Sequence, residues 1–352
     1  MLPLPAGAVA LGWLAIAAAC APPRADELVL GGETMGTTWS VKVVLDRPAA
    51  EAEHATVELA ILGVLELVDR TMSTYRDDSD VSRLNRAGPG VPVVVPAPLL
   101  EVLSLSQRVS AETDGAFDVT VGPLVAAWGF GPDGRPPAPP SDAMLEELRS
   151  SIGAHLLEID EVSSTVTKAR AEVAVDLNAV APGWAVDRIA TELERLGYRR
   201  HLIDVGGEIR ASGLNADDTP WRIAIERPQL GRAAQRVVPL LDAALATSGD
   251  YRNFYVHDGQ RYSHELDPRT LRPVAHAVAS VTVIHPSAAE ADALATALIV
   301  LGEEAALELA ERRNLPVLLL VYQDAGGIEE RASRAMRALL GDQAFQEPAN
   351  LS

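Results

Sequence analysis

The sequence predicts a mixed α/β protein of the α+β kind, with mixed and antiparallel sheets packed by helices in one compact body. Three observations carry that prediction. Short runs with two-residue alternation are interleaved with segments of helical spacing. The interleaving runs along nearly the whole chain, with no internal repeat, no long low-complexity tract and no linker that would separate two domains. Hydrophobic residues make up 48% of the 352, enough for a substantial core.

The elements follow in order. ELVLGGETMGTTWSVKVVL (27–45) reads as two strands around a glycine-rich turn, and TWSVKVVL alternates as a half-buried strand does. Residues 50–70 place Val57, Ala60, Ile61, Val64 and Leu65 at helical spacing. MSTYRDDSDVSRLNRAGPG reads as a loop, and 96–115 as a second helix ending at Gly115. GFGPDGRPPAPPSD (129–142) is dense in proline and glycine and predicts a surface loop. Short strands come next, then a helix over 184–197 and strands at HLIDVGG, WRIAIE, DAALATSG and FYVHDG. The strand VASVTVIH runs into a helix at ADALATALIVLG (291–302), and the helix EEAALELAERR leads to the strand PVLLLVYQD.

The helix at 291–302 poses the sharpest question. Ser287 stands at its N-cap with Glu290 three residues on, the pattern of a capping box. From Ala291 to Gly302 the only charged residue is Asp292, so the helix lacks a polar face and reads as buried. Asp292 and Thr296 lie one turn apart on one face. A buried carboxylate needs a cation, a metal ion or strong hydrogen-bond donors. The other reading is that Asp292 faces solvent near the favourable end of the helix dipole. This segment by itself leaves both open.

Composition narrows the function. A formal net charge of -19 argues against a nucleic-acid partner, because no basic field exists to replace phosphate counterions. No GxxxxGK[ST] loop is present, which disfavours a P-loop nucleotide enzyme. Cys20 is the only cysteine, so there is no internal disulfide and no Cys-rich metal site, and the chemistry falls to oxygen and nitrogen groups. Residues 1–19 read as a signal peptide ending in AAAC, similar to a bacterial lipoprotein box with Cys20 as the lipidated mature N-terminus. No Lys or Arg precedes the apolar run, so an ordinary secretory signal is the alternative. A spacer at 20–27, a catalytic domain at 28–345 and a tail at 346–352 complete the expected organisation.

Four polar clusters are poor core filling. They are TMGTTWS (34–40), TDGAFDVTVGPL (113–124), VDLNAVAPGWAVD (175–187), and ATSGDYRNFY (246–255) with RYSHELDPRT (261–270). Each alone is explained by caps, turn-forming Asp and Asn, or a histidine satisfied by Asp267 or by backbone. Together, in the order MGTTWS, MSTYRDDSDVSRLN, GAFDVTVGPL, DLNAVAPGWAVD, LIDVGGEI, ATSGDYRNF, SHELDPRT and ADALATAL, they closely resemble the FAD:protein FMN transferases, the ApbE-type flavin transferases of bacteria. The resemblance runs from about residue 28 to about 325.

What the resemblance implies is specific. Such enzymes bind FAD and Mg²⁺ and transfer the FMN half to a threonine of a target protein through a phosphoester, releasing AMP. The implied metal site is Asp292, Thr296 and the main-chain oxygen of Ala179. The implied flavin contacts are Met35, Tyr75, the Ala116–Phe117–Asp118 turn, Asp176, Pro182 and the segment from His264 to Leu266. Pro182 departs from the family pattern, in which Lys or Glu is common, and loses any ionic contact there. His264 and Asp250 are the candidate bases for the incoming hydroxyl, and Arg252 a candidate phosphate ligand. The expected partners are FAD, a membrane redox subunit carrying the acceptor threonine, and the membrane itself through Cys20. The expected place is the periplasmic or extracytoplasmic face. Two other functions use the same residues: an Mg²⁺-dependent FAD pyrophosphatase, and a flavin-binding lipoprotein without turnover.

Overall fold

The computed structural model describes residues 25–341, except 46, 48, 49, 133, 135, 137, 229–232 and 325. The expected signal peptide, Cys20 and the tail at 346–352 lie outside the described residues. The first elements form a hairpin. β1 (Asp26–Thr34) and β2 (Thr37–Leu45) pair antiparallel from Asp26↔Leu45 to Thr34↔Thr37. Their two-residue loop is Met35–Gly36, with φ of 46° and 71°. A tight hairpin loop requires that backbone; glycine adopts it freely, and a side-chain-bearing residue at a cost of about 1–2 kcal/mol.

A block of helices and a small sheet follows. It comprises α1 (Glu51–Met72), α2 (Asp80–Arg86), β3 (Val93–Val94), α3 (Ala97–Glu112), α4 (Gly122–Trp128), α5 (Asp142–Leu148), β4 (Leu157–Asp160) and β5 (Thr165–Lys168). α2 falls where the sequence reads as loop. Seven residues are too few for a helical period to stand out, yet its cap is orthodox: Ser79 Oγ accepts from Ser82 N–H at 3.1 Å. Next come α6 (Ala181–Arg195), beginning three residues before the expected start, then β6 (His201–Val205), β7 (Glu208–Ser212), β8 (Trp221–Glu226), β9 (Ala234–Leu240) and β10 (Ala243–Gly249). The last part holds β11 (Phe254–His257), β12 (Gln260–Ser263), β13 (Leu266–Asp267), β14 (Arg272–Pro273), β15 (Val278–His285), α7 (Ala288–Leu301), α8 (Glu303–Arg313), β16 (Val317–Tyr322), β17 (Ile328–Ala332) and α9 (Arg334–Leu340).

The main sheet has eight strands in the order β1-β2-β6-β7-β10-β15-β16-β17, every neighbour antiparallel. Among the described residues, parallel contact is confined to the isolated bridge Val121↔Ala174. Both faces are covered, which is why β16 reads VLLLVY without polar interruption. Val317, Leu319 and Val321 enter a core shared with α1, α3, α6, α7 and α8. Leu318 and Leu320 point the other way, against the β8–β9 hairpin and Met336 of α9. α7 lies innermost in the helical layer, packed on β10 and β15 and flanked by α6, α8 and α3. Only half of its capping box forms. Ser287 Oγ accepts from Glu290 N–H at 3.2 Å, but the Glu290 carboxylate turns to His285 Nε2 at 3.1 Å instead of reaching back.

Candidate active site

The ends of several elements meet around a cavity of about 1230 Å³. It exceeds the roughly 300–1,000 Å³ usual for a small-molecule pocket. The β1–β2 loop supplies Met35, the segment after α1 supplies Tyr75, and the turn before α4 supplies Ala116, Phe117 and Asp118. The loop entering α6 brings Asp176, Ala179 and Pro182; the segment after β12 brings His264 and Leu266; and α7 brings Asp292 and Thr296. Every site residue expected from the sequence therefore lines this one cavity, apart from Asp250.

Local structure explains each placement. Asp118 Oδ1 accepts from both the N–H and the Oγ1–H of Thr120, each at 2.7 Å. Asp176 accepts from Asn178 N–H at 2.9 Å and Nδ2 at 3.3 Å. Both aspartates thus make turns and face the cavity at once. The segment leading to Asp176 is clamped by Asn85 of α2, whose side chain donates to Val175 O at 2.9 Å and accepts from Val175 N–H at 2.7 Å. Buried Lys168 secures the same corner, donating to the carbonyls of Asn85, Ala171 and Val173. Pro182 sits in the first turn of α6, where a missing N–H costs no helical bond.

Asp292 is buried, 5% exposed, so the solvent-facing alternative is ruled out. Its Oδ2 accepts from Gly183 N–H at 3.1 Å. Gly183 is the third residue of α6, so its N–H is one of the donors a helix start leaves unpaired, and Asp292 satisfies it; Ala179, just before the N-cap Val180, lines the same cavity. Thr296 Oγ1, one turn on, is 3.2 Å from Ser248 Oγ of β10. Burial pushes the Asp292 carboxyl up to about 7, with the nearby Glu265 charge adding to it. Glu208 is held well above the usual range by burial and then by Asp292, and burial also raises Asp204, Glu265, Asp118 and Asp176.

A cavity walled by carboxylates whose ionised forms are disfavoured is relieved by a cation. Among the described residues no three Asp, Glu, His or Cys side chains converge closely enough to hold a metal alone. Asp292, Thr296 and the Ala179 carbonyl nevertheless fit Mg²⁺, a hard ion that takes one carboxylate, neutral oxygens and water.

In the segment after β12, His264 Nδ1 is 3.0 Å from the Asn253 carbonyl and Nε2 is 3.6 Å from Glu265 Oε1. The Asp267 alternative for this histidine is not realised, because both oxygens of Asp267 are held by Arg269 at 2.9 and 3.0 Å. Asp250 is buried behind the wall, its Oδ2 accepting from Arg261 Nη1 at 2.6 Å. Arg252 lines the cavity and pairs with Glu226 at the end of β8. Sequence reasoning missed Asp204, Glu208 and Glu226, all on the cavity wall, and covered Glu265 only as part of the His264–Leu266 segment. The only available signal was the Gly206–Gly207 loop, with φ of 70° and 110°, which turns β6 into β7 so that Val205 pairs with Glu208 and Asp204 with Ile209.

Fold and site together define a mixed α/β protein with one large cavity walled by several buried carboxylates. The model of the ApbE family matches residues 35–319, and the chain belongs to that family. A FAD:protein FMN transferase of Vibrio cholerae is 43% identical over 333 residues, covering 94% of this chain and 98% of the relative. One from Haemophilus influenzae is 39% identical over 338 residues, covering 95% and 97%. Among solved structures, the flavin transferase ApbE of Vibrio cholerae superposes with a TM-score of 0.82 at 42% identity, covering 90% of this chain and 99% of that one. The apo flavinyl transferase ApbE of Pseudomonas stutzeri gives 0.81 at 40% identity, covering 90% and 98%.

Proposed function

We propose that the chain is a Mg²⁺-dependent FAD:protein FMN transferase. The observation that carries this reading is the convergence, on the lining of one cavity, of Asp292, Thr296 and Ala179 with His264. Met35 and Tyr75 offer apolar surface at the rim for a flavin ring, and the turns at Asp118 and Asp176 offer acceptors for ribityl, ribose or adenine donors. Asp292, Thr296 and a main-chain oxygen of Ala179 would hold Mg²⁺, which would supply neutralisation of the diphosphate charge.

His264 handles the proton. A carbonyl only accepts, so the contact to Asn253 keeps the hydrogen on Nδ1 of the neutral ring and leaves Nε2 as the acceptor. As the threonine oxygen bonds to the FMN phosphorus, its proton passes to Nε2. The bridging P–O bond breaks and AMP leaves with the electron pair. Asp250 is engaged by Arg261 and stands off the cavity, so His264 takes this role. Arg252 exchanges its Glu226 partner for a phosphate oxygen.

The acceptor is a threonine of a membrane redox subunit, and a lipid on Cys20 holds the enzyme on the extracytoplasmic face. The AAAC-A motif supports that anchor. Among the described residues no helix is long and apolar enough to cross a membrane. The mature protein, FAD, Mg²⁺ and an acceptor subunit should yield a flavin-fluorescent band that survives denaturation. AMP released at the same rate without any acceptor, and no such band, would replace the transferase by a pyrophosphatase. FAD bound unchanged in Mg²⁺ would leave only a binding protein.

A further inference from the structure

We propose that Asp187, which does not line the cavity, is a positioning residue for the cation site. The proposal rests on the reading of Asp292 and Thr296 as cation ligands. Asp187 lies one turn beyond Gly183 on the same face of α6. Its Oδ2 accepts from Ser287 Oγ at 2.7 Å and from Ala289 N–H at 3.1 Å, holding the first turn of α7. Its Oδ1 accepts from Arg210 Nη1 at 2.7 Å, and that same nitrogen donates to Pro286 O at 2.8 Å. Asp187 therefore ties together α6, β7 and α7, three elements that each supply cavity wall.

α7 needs such a tie. Its buried surface is rich in alanine, at 288, 289, 291, 293, 295 and 297. Helices keep their register by ridges of side chains set into grooves, and methyl-sized side chains make shallow ridges. Apolar packing alone resists a slide of α7 along α6 only weakly, whereas directional hydrogen bonds resist it strongly. Gly183 contributes one, to Asp292 itself, and Asp187 contributes the pair at the helix start. With about 1.5 Å of rise per residue, Asp292 stands roughly 7 Å and Thr296 roughly 13 Å along the axis from Ser287. A slip or tilt at the first turn is thus carried directly to both ligands.

The test is equilibrium binding of Mn²⁺, read from the electron paramagnetic resonance signal of the free ion with FAD present. Melting temperature and the Mg²⁺ dependence of turnover are recorded alongside. Asp187→Ala should weaken Mn²⁺ binding about tenfold or more and raise half-saturating Mg²⁺ to match, with kcat at saturating metal within about threefold of wild type. Asp187→Asn, which keeps an acceptor oxygen for α7, should fall between. A folded Asp187→Ala protein that melts lower but binds Mn²⁺ as wild type does would overturn the proposal. If that variant does not fold, Asp187→Asn and Ser287→Ala decide, and wild-type affinity in both overturns it. Asp292→Ala separates the two readings. Affinity lost there but kept in Asp187→Ala refutes Asp187 alone; affinity kept in both removes the cation site.

Discussion

Gly183→Ala adds one methyl group to the protein, and its effect can be worked from distances. A Cβ at that position would stand 2.5 Å from the Ala288 oxygen, 2.8 Å from the Ala288 carbonyl carbon and 2.9 Å from Ala289 Cα. All three are backbone atoms of α7, so no side chain can swing aside. Bringing the closest approach to an ordinary 3.4 Å parts the helices by about 0.9 Å. The hydrogen bond from Gly183 N–H to Asp292, now 3.1 Å, then stretches to about 4 Å and is lost. In an exposed helix the same substitution stabilises by about 1 kcal/mol. Here overpacking reverses the sign, to a loss of about 1–3 kcal/mol. A shift near 1 Å in the residues that position substrate and metal lowers kcat/KM by about 10²-fold. Urea unfolding and the rate of covalent flavin incorporation into an acceptor measure the two effects. A variant that is more stable than wild type and keeps its rate would refute the argument from close approach.

Three further outcomes are expected. Asp292→Ala should abolish Mg²⁺-dependent transfer with an unchanged far-UV circular dichroism spectrum, because truncation removes the buried carboxylate along with its burial penalty; retained Mg²⁺ dependence would dismiss the cation site. His264→Ala should slow transfer by ~10²-fold or more, read in single-turnover assays, and a near-normal rate would move the proton to solvent. The third concerns His201, which is fully buried, with Nδ1 3.1 Å from Tyr198 O and no partner for Nε2. Burial lowers its pKa from 6.5 to about 4. The unfolded chain therefore takes up this proton first, and stability present above pH 6.5 is lost as pH falls toward 4, by about 3 kcal/mol. His201→Phe should flatten that part of the profile, and an unchanged slope in urea titrations would show that other groups set it.

Much of the site was readable because its residues sit in local patterns. The Met-Gly loop, the turns at Asp118 and Asp176 and the Asp292–Thr296 pair stand in short motifs, and the family resemblance those motifs carry is what gave Met35, Ala179 and Pro182 their expected roles. The carboxylates that surround them were not readable. Asp204, Glu208 and Glu226 come from separate strands, and only sheet pairing and the fold of the β8–β9 hairpin bring them to one cavity. Asp250 shows the opposite failure. It stands in the most distinctive motif of the chain, yet pairing with Arg261 eleven residues on turns it away from the cavity.

The sequence by itself determined that α7 is buried and that its aspartate needs a partner, because hydrophobicity and helical period act within a dozen residues. It also determined where most strands run, since alternation and turn residues act over the same range. Which donor reaches Asp292, which residues share its cavity and which nitrogen of His264 meets the Asn253 carbonyl were decided only by tertiary structure. Gly183 meets Asp292 across 109 residues, and Asp187 meets Ser287 across 100. Contacts of that kind depend on how closely two helices approach, and a single methyl group at Gly183 is enough to change the answer.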